Sequence, residues 1–451
     1  MKELTCLRGR KNQIKTGLFG ILTVVTLAAI PAEHARGQEA RSAKVLAQHT
    51  LAPLSLTYFG LTEAELASAQ LNGMSRTDLP AIGSGLQRLA GNHFVGVTDR
   101  GPAFPRTTPT VGRIFPIPTF TPHLVFFRAA GGEIIPQAVM PIVIDDAGTP
   151  ATGIPNSATE DTVPYANAMT TNQIPFNPNG LDVEDIHSLP DGHFIVVDEY
   201  NPSLAILNDA GRVLKRHIPA GRTLTGAACA VSDNLPAILA QRRSSRGFEC
   251  VAVSSDGKTA YTMTQSPLGP TTPSSAPTRN SRVLRLLRLD VSDPVNAQVT
   301  GQFVLLMSSA STYPAGNRPQ DLKLSAAAWV SENKLLLLER TDELGIGGVK
   351  LILADLVGAT DINTFAASHP AHTLALEDAN LDLSSFGITP VATSVVFSNL
   401  ETPEIDDFKL EGLAILNRNE VALVNDNDFG TGIPAEASSR LWVLRLAEPL
   451  Y

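Results

Sequence analysis

Asp182, Glu184, Glu199, Glu249, Glu339, Glu411 and Asp426 stand where short apolar runs begin or end, with Asp99 and Asp198 close behind. Carboxylates gathered into one space repel one another unless protons or cations compensate them. Hard divalent cations are the natural compensation, and Ca²⁺ takes about six to eight oxygen ligands in flexible geometry. Metal held by open carboxylates binds a phosphate and activates water. The metal-ligand candidates are Asp182, Glu184, Glu199, Glu249, Glu339 and Glu411; Glu184, Glu411 and Asp426 are the catalytic candidates. Arg100 and Arg340 each follow an acid, which suits them to hold phosphate oxygens or to pair with carboxylates. The plainer alternative for any one of these residues is a turn cap or a structural ion pair. Their repeated placement argues for more.

The elements that must position them are short strands. From Gly180 to Pro219 the chain alternates apolar runs with turns at Pro190-Asp191-Gly192 and Asn208-Asp209-Ala210-Gly211, an antiparallel meander. Similar hairpins begin near Ser84, Arg246, Leu322 and Lys409. Ser84 to Asp99, Glu184 to Glu199, Leu324 to Glu339 and Glu411 to Asp426 are each 15 residues apart, and the same step from Glu249 lands on Thr264, beside Gln265. A hairpin repeated with polar residues at matching ends predicts an all-β β-propeller, whose inner strands converge on one axis. At roughly 60–70 residues per inserted blade this predicts six or seven blades. Leu51 to Leu61 reads as strand-like and Glu63 to Ala69 as a short helix. Gly148 to Gly180 is a long surface excursion, and Arg440 to Leu446 is a last strand completing the blade begun at the N-terminus.

Composition agrees: 34 glycines, 32 prolines and 6% aromatics suit many strands and turns better than a helical bundle. Residues 1–37 read as a signal peptide, a basic leader before the 13-residue apolar core Leu18 to Ile30, which is short for a membrane span. This predicts a secreted or periplasmic protein of one domain, residues 38–451, with no stable membrane insertion once the leader is removed; an uncleaved anchor is the alternative. Without the leader's six basic and two acidic side chains, 29 Lys+Arg face 42 Asp+Glu, a formal charge of −13. So acidic a chain is a poor partner for nucleic acid. Cys229 and Cys250 could form a bridge or remain two buried thiols. His187 and His193 flank a turn and read as solvated hairpin residues, and Ser331-x-x-Lys334 falls on a turn rather than a helix. No Gly-x-Ser-x-Gly, His-Glu-x-x-His or Gly-x-x-x-x-Gly-Lys motif is present, which disfavours serine hydrolases, zinc proteases and nucleoside-triphosphate enzymes.

Taken together, GLQRLAGNHFVGVTDRGP, DVEDIHSLPDGHFIVVDEY, GFECVAVSSDGKTAYTMTQSPL, SRVLRLLRLDV, LLLLER and LEGLAILNRNEVALVNDNDFG resemble the secreted phytase-like, or esterase-like, β-propeller family of bacteria. The resemblance implies an exported propeller acting on a phosphate ester, with Ca²⁺ as the expected cofactor. A monomer is the expected state. Three positions depart from the family's pattern. Asp185 and Cys250 stand where glycine is usual after the acid, and Ser325-Ala326 replaces Ser-Asp. A non-catalytic propeller that binds a ligand or protein partner through its channel face is the alternative, and a lactonase on the same scaffold a third reading.

Overall fold

The computed structural model describes residues 42–157, 161–341, 347–407, 409–431 and 438–451. The leader and Cys6 lie outside these residues. Among the described residues, twenty-four strands form five four-stranded antiparallel units, a fifth strand (Ala230–Leu235) added parallel to the outer edge of the second unit, and a three-stranded accessory sheet. In chain order, the innermost strands of blades 1 to 5 are Gly85–Ala90, Val183–Ser188, Phe248–Val253, Leu322–Ser331 and Leu410–Asn417. Each lies against the next, and the fifth returns to the first, closing a ring around one axis.

Five apolar cores fill the five gaps between blades. Val97, Leu124, Ile186 and Val196 join blades 1 and 2; Ile195, Leu204, Val251 and Leu287 join blades 2 and 3. Met263, Leu284, Leu324 and Leu337 join blades 3 and 4; Leu336, Leu351, Leu413 and Trp442 join blades 4 and 5. Leu86, Phe127, Ala422 and Val424 complete the circuit. Among the described residues the propeller is therefore five-bladed, not six- or seven-bladed. The chain length beyond five hairpin units is spent on insertions. Residues 356–391 of blade 4 are one, docked on blade 3 through a core of Val304, Ile362, Leu376 and Ile388.

Arg440–Leu446 is the third strand of blade 5, and the closure is the reverse of the one expected: Ala43–Leu51 pairs antiparallel with it and becomes the outermost strand of that blade, so the first and last strands of the described chain latch the ring. The strand-like reading of Leu51 to Leu61 is corrected accordingly: only Leu51 belongs to the strand, and Leu56–Phe59 is a 3₁₀ turn. A helix follows at Glu63–Leu71, opened by a capping box between Thr62 and Glu65. Hairpins turn at Gly192 (φ 91°) and Gly257 (φ 72°), left-handed positions that glycine takes without a Cβ clash. Ser331 pairs with Lys334 across a strand turn, as the sequence indicates. Cys229 and Cys250 are both free, packed into different cores. No helix among the described residues is long and apolar enough to cross a membrane.

The insertion of blade 4 is tied down by a buried ion pair. Arg285 donates to Glu377 through Nε (2.6 Å) and Nη2 (2.9 Å), and to the carbonyls of Ala371 and Thr373 (both 2.8 Å). Removing one partner strands the other charge in the interior. Arg285→Ala should destabilise the protein by about 3–5 kcal/mol, read as a fall in the chemical denaturation midpoint, while a surface change such as Lys258→Ala should move it little.

Candidate functional site

Blades 2 to 5 share a device at the start of the inner strand. A β-bulge interrupts the register between this strand and its neighbour, and the extra residue is Glu184, Glu249, Ser325 or Glu411. A bulge leaves its residue unpaired and re-aims the side chain. Ser84, just before the inner strand of blade 1, holds the corresponding place in sequence. The second strand of each blade ends on the same face of the disc, with Asp99, Glu199, Gln265, Arg340 and Asp426 in matching positions. All ten of these residues are buried. The axis thus carries two stacked sets of polar side chains, rich in carboxylates.

Neutralisation of this charge is one-sided. Around blades 4 and 5, Arg340 pairs with Glu411 and donates to Ser325 Oγ (2.8 Å). Lys409 Nζ reaches Asp426 (2.5 Å), Asp428 (2.7 Å) and Glu411 (3.7 Å). Burial works against the Lys409 charge, yet Asp426, Asp428 and Glu411 outweigh it and raise its pKa. Around blades 2 and 3, Arg100 is the cation in contact, bonded to Asp182 and at 3.2 Å from Glu199. Asp182, Glu184 and Glu199 each place an oxygen within 4.8 Å of the others. Glu249 receives one hydrogen bond, from Gln265, and its Oε2 is buried with no partner. Ser84 Oγ, Gln265 Oε1 and Arg100 Nε are likewise buried without partners. The unpartnered oxygens of Glu249, Ser84 and Gln265, together with the three close carboxylates, fit an oxygen-ligated cation and its waters.

The structure separates the candidates along strand parity. Asp198 and Glu339 precede the axial positions by one residue, and one step along a strand turns a side chain to the other face. Asp198 is bound to Arg216 (2.7 Å), Ser203 (2.9 Å) and the Asp182 amide (2.8 Å). Glu339 accepts from the Tyr313 hydroxyl and the Ser308 amide, both at 2.8 Å. Glu339 is therefore removed from the metal candidates; in blade 4 the 15-residue step runs from Ser325 to Arg340. Arg340 and Arg100 are committed to carboxylates, which corrects their assignment to phosphate. Asp185 points between blades, receiving the amides of Ile186 (2.8 Å), Val251 (2.8 Å) and Leu86. Gly85 permits this approach, since an added Cβ would lie 2.5 Å from Asp185 Cα.

Sequence reasoning missed Lys409 and Asp428. Lys409 stands two residues before Glu411, as Asp182 does before Glu184, so the repeat itself held that signal. Asp428 is turned in by consecutive left-handed residues, Asp428 (φ 48°) and Phe429 (φ 54°), which no pattern announces. A cavity of about 420 Å³ opens at the other ends of the inner strands, lined by Gln87, His187, Ser254, Trp329 and Ile415, and none of the candidate acids lines it. His187 belongs to that cavity rather than to solvent; burial depresses its pKa to about 4.

Burial, then the neighbouring Glu249, Glu199 and Glu411, pushes the Glu184 pKa well up. Burial, then Glu199 and Glu411, does the same to Glu249. Asp99 is raised to about 7 by burial and Asp426, against the pull of Arg100. Without metal, the folded protein thus holds protons that the unfolded chain releases above the ordinary carboxylate range. Stability is fully present below that range and falls as pH rises, by about 1.4 kcal/mol per pH unit for each such group. For Asp99 this window runs from 3.8 to about 7. Thermal unfolding in chelator should show a midpoint that declines from about pH 4.5 to 8, and Glu249→Gln should flatten the decline. A wild-type midpoint independent of pH across this range would contradict the arrangement.

No curated protein sequence is significantly similar to the chain. Among solved structures, the PQQ-bound aldose sugar dehydrogenase of Streptomyces coelicolor is 11% identical, with 83% of this chain and 97% of that chain covered and a TM-score of 0.33. A GH62 α-L-arabinofuranosidase catalytic domain of Coprinopsis cinerea is 9% identical over 89% and 98% of the two chains, TM-score 0.36. A family 43 arabinoxylan arabinofuranohydrolase of Bacillus subtilis is 8% identical over 84% and 68%, TM-score 0.37. These likenesses are loose, and the fold rests on the strand pairing itself. The family model described as "Phytase-like: Esterase-like activity of phytase" matches residues 80–429, most of the chain, and to that family the protein belongs.

Proposed function

We propose that this propeller is an exported phosphoric-ester hydrolase that depends on a divalent cation, Ca²⁺ first, held at the axial mouth between blades 2 and 3. The observation that carries the reading is the meeting of Asp182, Glu184 and Glu199 within 4.8 Å beside the unpartnered Glu249 Oε2. Oxygen-only donors of this kind suit a hard cation. Bound there, the cation would polarise a phosphoryl oxygen and lower the pKa of a water.

The chain's own residues divide the remaining tasks. Asp182, Glu184 and Glu199 bind the cation, and Arg100 fixes the orientation of Asp182 and Glu199. Glu249, whose pKa is raised by burial and then by Glu199 and Glu411, is the group suited to pass a proton to a leaving oxygen. Glu411 and Asp426, expected to be catalytic, are held by Arg340 and Lys409 and close the cationic side of the well. Residues 1–37 direct the protein out of the cytoplasm in this reading.

The test is turnover of phytate and of a generic phosphate monoester by the purified protein, with calcium and with chelator. Activity should require calcium. Glu184→Gln should weaken calcium binding, whereas Glu249→Gln should keep calcium and lower kcat about 100-fold. Turnover indifferent to chelator would overturn the metal assignment. Calcium binding with no turnover of any ester would leave a binding propeller.

A further inference from the structure

The small accessory sheet brings one more cation to the mouth. It consists of Phe104–Arg106, Gly112–Ile114 and Pro164–Tyr165, drawn from the two insertions 103–118 and 148–180. The first insertion leaves blade 1 directly after Asp99-Arg100-Gly101, on the acidic face. The sheet is rigidly built. Arg106 is buried, lies 3.8 Å over the Tyr165 ring, and donates to the carbonyls of Thr110 (3.2 Å) and Thr170 (2.5 Å). Gly112 admits that ring, because an added Cβ would stand 2.5 Å from it. The Arg113 amide is fixed on the Val163 carbonyl at 2.9 Å.

Side chains alternate along a strand, so Arg113 points away from the side that Gly112 and Ile114 present to the sheet's core. The first insertion is tied to the rim of the well by the Thr431 hydroxyl, which lies 3.2 Å from the Ala103 carbonyl and 2.5 Å from the Asp428 carbonyl, and the charges of Arg100, Glu199 and Asp428 act on Arg113 there. Arg113 is half-buried, and among the described residues no hydrogen bond or ion pair holds its side chain. Its neighbours in the well differ: Arg100 is paired through Nη1 with Asp182 and Glu199, Arg340 with Glu411, and Lys409 with Asp426 and Asp428. A guanidinium carries five N–H donors in a fork that matches a phosphate's oxygens. Arg100 acts on Arg113 as a like charge, a repulsion that a bound anion would offset.

We propose that Arg113 is the clamp for the anionic group of the ligand, gripping a phosphate's peripheral oxygens above the carboxylate well. The choice of a phosphate rests on the ester-hydrolase reading above; a guanidinium poised to take an oxyanion does not. Arg113 contacts the ligand and moves no proton.

Inorganic phosphate serves as the probe, with the full mature chain, by titration calorimetry and thermal shift in calcium and in chelator. Wild type should bind phosphate. Arg113→Gln should weaken that binding at least about tenfold while the calcium-induced shift is unchanged, and Arg113→Lys should restore part of it. With a phosphate monoester, Arg113→Gln should raise KM by a similar factor and leave kcat within about threefold. Retained phosphate affinity in Arg113→Gln, or no phosphate binding by wild type, would overturn the proposal. If calcium binds nowhere but Arg113→Gln still abolishes phosphate binding, the metal reading fails and the anion clamp stands. Should Arg113→Gln lose the calcium shift and fold poorly, Arg113→Lys decides: wild-type KM in that variant with intact fold would mean that any cation serves, and unchanged phosphate affinity in the further variant Arg113→Met would refute the clamp.

Discussion

Charge at the axis governs this molecule. Five inner strands converge on one line, and bulges at the start of three of them aim Glu184, Glu249 and Glu411 towards it. Second-strand ends add Asp99, Glu199 and Asp426. Buried carboxylates this close must be paired, protonated or metal-bound. Blades 4 and 5 take the first course with Arg340 and Lys409. Around blades 2 and 3, Arg100 is the cation paired with Asp182 and Glu199, while Glu184 and Glu249 keep raised pKa values, so protons or a cation must supply the balance.

The rest of the fold holds that geometry against its own repulsion. Adjacent inner strands are not joined by sheet hydrogen bonds, and Asp185 supplies a substitute by accepting amides from blades 1 and 3. Its carboxyl pKa is raised by burial, with those amides pulling the other way. Around the ring, each blade buries one face against each neighbour. The N-terminal strand Ala43–Leu51 then closes the last blade from the far end of the chain. Insertions stay off the ring and meet above the mouth or along the flank. They can therefore vary what the well receives without disturbing the five cores.

The two faces of the disc differ in kind. One is a polar well whose cations are nearly all committed. The other opens into a cavity lined by His187, Gln87 and Trp329, where burial keeps the histidine neutral. Chemistry that needs charge belongs to the first face.

Much of this was legible in the sequence for physical reasons. Period-two apolar runs, Asp-Gly turns and a recurring 15-residue step fixed the hairpins, the propeller class and the membership of Glu184, Glu199, Glu249, Glu411 and Asp426 in one set. What the repeat could not resolve was parity. Glu339 matches the step from Leu324, but the bulge residue of blade 4 is Ser325, and a shift of one residue sends Glu339 to Tyr313 and Arg340 to the axis. Blade number also escaped, because residues spent on insertions cannot be told from residues spent on strands by division. Which carboxylates keep a free oxygen was decided by the tertiary structure alone. Arg340, Lys409 and Arg100 come from three blades, and only their convergence leaves Glu249 Oε2 without a partner.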